Sequence, residues 1–167
     1  INFILMIHLI VGNTGSGKTT YCNQLKAQNK GVIFSIDSWN KTLFLPDKKE
    51  TDGLKWFLQR IDRAEEMIQN LILQLENANT DSILDLGLSK FSHREKFRNF
   101  ALENNIEFQF HYLNISKDER WQRVQNRNQE KGATFEFEVS LNDFNFMESW
   151  FEVPTNDELN EAIYISQ

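Results

Sequence analysis

The sequence predicts a three-layer α/β fold, with a five-stranded parallel sheet held between helices. Three observations point there. Five short, nearly continuous apolar runs recur along the chain, the pattern of strands buried on both faces. Stretches of helical period separate them, as in successive βαβ units. The first run also leads straight into Gly12-Asn13-Thr14-Gly15-Ser16-Gly17-Lys18-Thr19, a G-x-x-x-x-G-K-[ST] segment. A strand before it and a helix after it are the context that this segment requires.

Each element follows from its residues. Ile4 to Val11 is β-branched and apolar and forms the first strand. Lys18 to about Gln28 is compatible with a helix, and Cys22 falls inside it as a small packed residue. Val32 to Ile36 is the second strand, ending at Asp37. Gly53 to about Asn77 places Leu54, Phe57, Leu58, Ile61, Met67, Ile68, Leu71, Ile72 and Leu75 mostly three or four residues apart, the spacing of one helix face. Ser82 to Leu86 is the third strand, ending at Gly87, and Ser92 to Asn104 is an amphipathic helix. Ile106 to Leu113 is an aromatic-rich fourth strand, followed by a helix over Lys117 to about Glu130. Leu141 to Phe151 is helical, and its aromatic residues suit core or lid packing. Ala162 to Ile165 is the fifth strand.

Composition narrows the function classes. A length of 167 residues is one domain's worth, and neither linker, repeat nor low-complexity tract divides it. The hydrophobic fraction of 40% and only two prolines fit an ordered domain. A net charge of −6 argues against a surface that coats nucleic acid. The single cysteine excludes an internal disulfide and a zinc cluster, which fits a cytoplasmic protein. Ile1 to Val11 lacks a basic leader and a cleavage site, and it is too short to cross a bilayer. Met6 stands where such chains commonly begin, so residues 1–5 are expected to be an upstream extension.

The glycine-rich segment carries specific chemistry. Gly12, Gly15 and Gly17 permit dihedrals and close approaches that a Cβ would block. Successive N–H groups can then converge on one anion, reinforced by the N-terminal end of the following helix. Lys18 is expected to reach the β- and γ-phosphates and the Thr19 hydroxyl to ligate Mg²⁺. Gly12, Asn13, Thr14, Gly15, Ser16, Gly17, Lys18, Thr19 and Thr20 are therefore the candidate residues for binding a nucleoside triphosphate, with ATP the expected one.

Missing motifs remove several classes. A GTPase needs D-x-x-G after the third strand and N-K-x-D to read guanine; here the strand ends Asp85-Leu86-Gly87-Leu88, and N-K-x-D does not occur. A motor-type ATPase usually pairs that aspartate with a glutamate, whereas Asp85 is followed by leucine. A small kinase remains. Asp37, at the end of the second strand, is placed to orient an acceptor hydroxyl and take its proton; the simpler reading makes it a helix N-cap. Arg120, Arg123 and Arg127 fall at helical spacing. They form either a solvated face paired with Asp118 and Glu119 or a lid that brings guanidinium groups to the transferring phosphate. Asp85 has three readings: a metal ligand through water, an acceptor contact, or a strand-end cap. His93 and Arg94 either touch the acceptor or form a solvated first turn. His8 and His111 are expected to be buried and hydrogen-bonded.

In order and spacing the chain resembles the small AAA-type P-loop kinases grouped with polynucleotide 5′-kinases, zeta toxins and chloramphenicol phosphotransferase. The resemblance covers nearly the whole chain. It rests on Gly12 to Thr20, Ser35-Ile36-Asp37-Ser38-Trp39, Ile83 to Gly87, Ser92 to Arg98, Leu113 to Arg127 and Phe151 to Glu158. It implies the sheet order 2-3-1-4-5, Asp37 as general base, and Arg123 or Arg127 as the lid residue. It also implies adenine near Val153, Pro154 and Thr155, in the turn before the last strand.

The expectation is one domain over 1–167, with a lid over about 120–135 and an acceptor-side insertion over about 38–77. Trp39, Phe44, Trp56 and Arg60 lie in that insertion. The expected activity is ATP- and Mg²⁺-dependent transfer of the γ-phosphoryl group to a hydroxyl of a small molecule. Lys18, Asp37, Arg123 and Arg127 are its catalytic candidates, and Thr19 and Asp85 the metal candidates. The alternatives are a polynucleotide 5′-hydroxyl acceptor, or an ATP-binding or ATPase module of a toxin–antitoxin or regulatory system. No membrane partner is expected.

Overall fold

Five parallel strands form the middle layer of the computed structural model, which describes residues 5–29, 31–133 and 135–166. The expected upstream extension over 1–5 lies almost wholly outside the described residues. The strands are β1 (Met6–Val11), β2 (Val32–Ser35), β3 (Ser82–Asp85), β4 (Glu107–Leu113) and β5 (Ile163–Ile165). Their order is β2-β3-β1-β4-β5, the order the resemblance implies. Ile7 pairs with Ser82 on one side of β1 and with Phe108 on the other. The phosphate-loop strand thus lies at the centre of the sheet, with β2 and β3 to one side and β4 and β5 to the other.

The alternation of side chains along a strand divides the core. Ile7, Leu9 and Val11 of β1, with Phe110 and Tyr112 of β4, face helices α3 (Leu54–Asn77) and α4 (Phe91–Glu103). There they pack on Ala64, Ile68, Ile72, Phe97 and Ala101. Ile10 and Leu113 face the opposite way, onto Cys22 and Leu25 of α1 (Lys18–Asn29). A third, small core joins α5 (Lys117–Glu130) to α6 (Leu141–Trp150) through Val124, Val139 and Phe144, with Trp121 against it.

Element boundaries differ from expectation where a cap intervenes. β2 stops at Ser35, because the Ser35 hydroxyl accepts a hydrogen bond from Ser38 N and starts a short helix, α2 (Ile36–Trp39). Helical turns then continue through Asp47. A last short helix, α7 (Asn156–Leu159), follows Thr155. Among the described residues no helix is long and apolar enough to cross a membrane.

Candidate functional site

The loop between β1 and α1 bends back on itself as its glycines require. Gly15 and Gly17 have φ of +81° and +92°, in the region that L side chains avoid. A Cβ on Gly15 would also lie 2.5 Å from the carbonyl oxygen of Arg120, so α5 sits directly against the loop. Lys18 crosses the loop and its ammonium donates to Gly12 O (2.9 Å) and Asn13 O (3.4 Å). Burial lowers the Lys18 pKa, while the charges of Asp85 and Asp37 oppose the shift.

Buried ionic contacts brace the loop from behind. Arg120 is 6% exposed; it donates from Nε to Ile115 O and from Nη1 to Thr14 O and Glu148 Oε1. Glu148, on α6, also accepts from Asn13 Nδ2. Arg120 therefore belongs neither to a solvated face nor to the groups open to a ligand. It fixes the loop, which contradicts the solvated reading of the arginine stripe at this position. Arg123, one turn on, donates to Ser16 O (3.3 Å) and pairs with Glu119 (2.5 Å).

A cavity of about 790 Å³ opens over the loop. Gly12, Thr14, Gly15, Ser16, Gly17, Lys18, Thr19 and Thr20 line it, together with Asp37, Asp85, Arg123 and Arg127. The sheet order divides its floor. Tyr21 and Gln24 of α1 join Leu113, Ile115 and Ile165 on the β4–β5 side. Asp37, Asp85, Gly87 and Ser89 lie on the β2–β3 side, at the carboxyl ends of those strands. This is where ligand crevices form in open α/β sheets.

Asp37 occupies the first turn of α2, and Ser35, not Asp37, caps that helix. The residue is exposed where it lines the cavity. Partial desolvation by the surrounding protein and the nearby Asp85 raise its pKa above the ordinary carboxylate value, against the pull of Lys18 and Arg127. Asp85, buried at the end of β3, accepts a 2.8 Å hydrogen bond from Thr19 Oγ1.

Among the described residues, two buried polar atoms at the loop and its flank find no hydrogen-bond partner: Ser16 Oγ and Arg127 Nε. Both residues line the cavity. Orphaned buried donors are costly, and a polyanion over the loop would satisfy them. The residues thus fit a nucleotide phosphate chain, and the Thr19–Asp85 pair fits a divalent cation beside it. Among the described residues no cluster of three or more His, Cys, Asp or Glu side chains could hold a metal unaided. A cation here would need oxygens from the nucleotide and from water to complete its shell.

Several expected residues lie elsewhere. Val153, Pro154 and Thr155 do not line this cavity; Val153 is 67% exposed, and Thr155 caps α7 in a capping box with Glu158. Trp39, Phe44, Trp56 and Arg60 also lie off it. Trp39 meets Phe34 edge-on, Phe44 packs against the main core, and the Arg60 guanidinium sits 3.6 Å over the Trp56 ring. Arg94 contradicts both readings offered for it. It is 1% exposed and makes a two-point pair with Glu158 (2.6 and 3.1 Å), with further bonds to Leu88 O and Glu152 O. His93 and Lys96 bond the buried Glu65 of α3. Burial alone would raise the Glu65 pKa, but those two partners outweigh it and hold the carboxyl below its usual range. His8 and His111 are buried and bonded, in a chain running Asp81–His8–His111–Tyr21. Burial pushes the Cys22 thiol up, away from reactivity.

Sequence reasoning missed Tyr21, Gln24, Glu148, Phe137, Glu138 and Asp143, and gave Phe146 and Met147, with the rest of their helix, only core or lid packing. Tyr21 had a signal, since it follows Lys18 by three residues on the same helix. Asp143, Phe146 and Met147 fall at i, i+3 and i+4, one face of α6. That face turns to the cavity, while Phe144 packs on Trp121 of α5 and Glu148 bonds Arg120.

Comparison with known proteins agrees with the topology. The chain is similar in structure to Kti12 of Chaetomium thermophilum in complex with ADP-AlF3, with a TM-score of 0.67 at 14% identity, covering 97% of this chain and 88% of that one. It is similar to the APS kinase CysC of Mycobacterium tuberculosis in complex with AMPPNP and APS, at TM-score 0.66 and 12% identity over 97% and 88%. It is also similar to a gluconokinase from Sinorhizobium meliloti 1021, at TM-score 0.64 and 14% identity over 99% and 84%. At these identities the likeness is one of fold. No curated protein matches the chain in sequence. The model of a family described as an AAA domain matches residues 7–154, most of the chain. The chain therefore belongs to that AAA-domain family, with the P-loop fold and sheet order of the small kinases.

Proposed function

We propose that this protein is a phosphotransferase that moves the γ-phosphoryl group of ATP to a hydroxyl of a small molecule, with Mg²⁺ as cofactor, in the cytosol. The observation that carries the reading is Asp37. It is a carboxylate with a raised pKa, it is not the N-cap of α2, and it lines the same cavity as Lys18, Thr19, Asp85 and Arg127. A hydrolase would orient a water where a kinase orients an acceptor hydroxyl, and the leucine that follows Asp85, in place of the glutamate of motor-type ATPases, favours the kinase.

The roles follow from position. The loop amides and Ser16 Oγ hold the phosphates, and the Lys18 ammonium leaves Gly12 O to reach them. Thr19 and Asp85 would hold Mg²⁺, which when bound neutralises charge on the β- and γ-oxygens. Tyr21, Leu113, Ile115 and Ile165 line the β4–β5 side of the cavity, where the adenine would rest. Asp37 accepts the acceptor's proton as the new O–P bond forms and the bond to the ADP oxygen breaks. Arg127 and Arg123 stabilise the charge spread over the moving group. The segment before α6 closes the cavity by reaching α2: Glu136 accepts from Ser38 Oγ and pairs with Lys41. Closure of this kind keeps water from competing with the acceptor.

The test is an acceptor screen that follows labelled γ-phosphate from ATP, run beside a Lys18→Ala variant. Label should enter a hydroxyl compound, and Lys18→Ala should weaken triphosphate binding. Release of inorganic phosphate alone across the screen would favour an ATPase or switch instead, and unchanged binding by Lys18→Ala would refute the loop assignment.

A further inference from the structure

One line of hydrogen bonds runs through four side chains, from the amino end of the sheet to the cavity. Asp81, the residue before β3, accepts from Met6 N at Oδ1 (3.0 Å) and meets His8 Nε2 with Oδ2 (3.3 Å). His8 Nδ1 lies 3.0 Å from His111 Nε2, and His111 Nδ1 lies 2.9 Å from the Tyr21 hydroxyl. His8 and His111 are 4% and 1% exposed, whereas Tyr21 is half-buried and lines the cavity.

The chemistry of the first member sets the direction of every bond after it. A carboxylate only accepts, so His8 Nε2 carries a hydrogen. An uncharged imidazole has one N–H, which leaves His8 Nδ1 without a hydrogen and able only to accept. The hydrogen between the two rings then belongs to His111 Nε2, and His111 Nδ1 accepts in turn. Burial and the neighbouring His8 keep His111 uncharged down to about pH 4. Tyr21 therefore donates inward, to His111. Its one hydrogen is used, and the phenol oxygen has only lone pairs left for a ligand in the cavity.

Tyr21 shares the β4–β5 side of the cavity with Gln24, Leu113, Ile115 and Ile165. Of these, only Tyr21 and Gln24 have polar side chains. A carboxamide offers both a donor and an acceptor, so Gln24 does not tell an amino group from a carbonyl. A phenol held as an acceptor does: it pairs with the amino group and repels the carbonyl oxygen. Resting on the kinase reading above, which puts the base on this side, we infer that Tyr21 selects adenine over 6-oxo purines. Asp81, which does not line the cavity, is the positioning residue that sets Tyr21 through His8 and His111.

Asp81→Asn should turn the whole line around. The amide oxygen keeps the Met6 N–H, so the amide nitrogen faces His8 Nε2, which must then accept. His8 Nδ1 and His111 Nδ1 take the hydrogens, and Tyr21 becomes an acceptor from His111. Its own hydrogen is released to the cavity, where it suits a carbonyl oxygen.

Nitrogen-15 NMR of the imidazoles reads the direction of the line, and the affinities for ATP and ITP, which exchange a 6-amino for a 6-oxo group, read its consequence. In the native protein both Nε2 atoms should carry hydrogen and neither Nδ1, with ATP bound roughly tenfold or more tightly than ITP. Asp81→Asn should invert both rings and narrow that ratio about fivefold or more, and Tyr21→Phe should narrow it as much. If Asp81→Asn does not fold, the native tautomers and Tyr21→Phe decide. A hydrogen on either Nδ1 of the native protein overturns the inference, as does a ratio that Tyr21→Phe leaves unchanged. A narrowed ratio in Asp81→Asn with the native tautomers retained overturns the role of Asp81. Each of these failures, with ATP bound and its γ-phosphate transferred, leaves the kinase reading standing. Native protein that binds neither triphosphate overturns both.

Discussion

Thr19 Oγ1 donates a 2.8 Å hydrogen bond to Asp85 Oδ2, joining the first turn of α1 to the end of β3. The bond orients the one hydroxyl in the loop placed to ligate a cation and sets a buried carboxylate beside it. Asp85→Asn keeps the shape and removes the charge. It should lower the Mg²⁺-dependent gain in ATP affinity by roughly tenfold or more, with metal-free binding nearly unchanged. Titration of a fluorescent ATP analogue with Mg²⁺ and with EDTA measures both. An unaltered Mg²⁺ dependence would contradict the metal assignment.

Arg94 ties α4 to the turn before α7 and to the loop after β3. That loop holds Gly87 and Leu88 at φ of +80° and +47°, and Arg94 bonds the Leu88 carbonyl. Arg94→Leu leaves the Glu158 carboxylate without its cation and should cost about 3–5 kcal/mol of stability. Arg94→Lys should also destabilise, because an ammonium cannot reproduce the two-point pair. Urea unfolding reads both variants; a loss below about 1 kcal/mol, small for a buried pair, would contradict this role.

His111 is held at a pKa of about 4, down from 6.5, by burial and by neighbouring His8; Tyr21 and the Asp81–His8 pair complete its surroundings. The native state keeps this imidazole neutral, so the unfolded chain binds more protons between those two values. The stability it contributes is whole above about pH 6.5 and is lost as pH falls toward 4, on the order of 3 kcal/mol. Glu65 and Glu158, whose pKa values are lowered from 4.5, lose their contribution at lower pH still. His111→Gln should flatten the stability profile between pH 6.5 and 4. Equal slopes for the two proteins in that window would contradict the assignment.

Much of this was legible in the chain itself. The phosphate loop and the five strands follow from local spelling read along alternating strands and helices, while the sheet order and the convergence of Asp37, Arg123 and Arg127 on Lys18, Thr19 and Asp85 came with the family resemblance. The rest required contacts distant in sequence. Arg120 and Arg123 share a helix and a composition, yet Arg120 is turned under the loop by Glu148, 28 residues away. Nothing in helical spacing separates a guanidinium that braces the loop from one that faces the cavity. Thr155 and Glu158 did carry a local signal, the Thr-x-x-Glu of a capping box, which resemblance had directed toward adenine. The aromatic wall of α6 was visible as aromatics, but only the fold shows which of them turn to the cavity.

The central claim is that Asp37 accepts the acceptor's proton during phosphoryl transfer, and Asp37→Asn tests it most directly. Removing a general base typically costs 10²–10⁴ in rate. With an acceptor from the screen, the variant should bind ATP within about twofold of the native protein but transfer γ-phosphate roughly 10²-fold or more slowly. Transfer at the native rate, with ATP binding intact, would contradict the account.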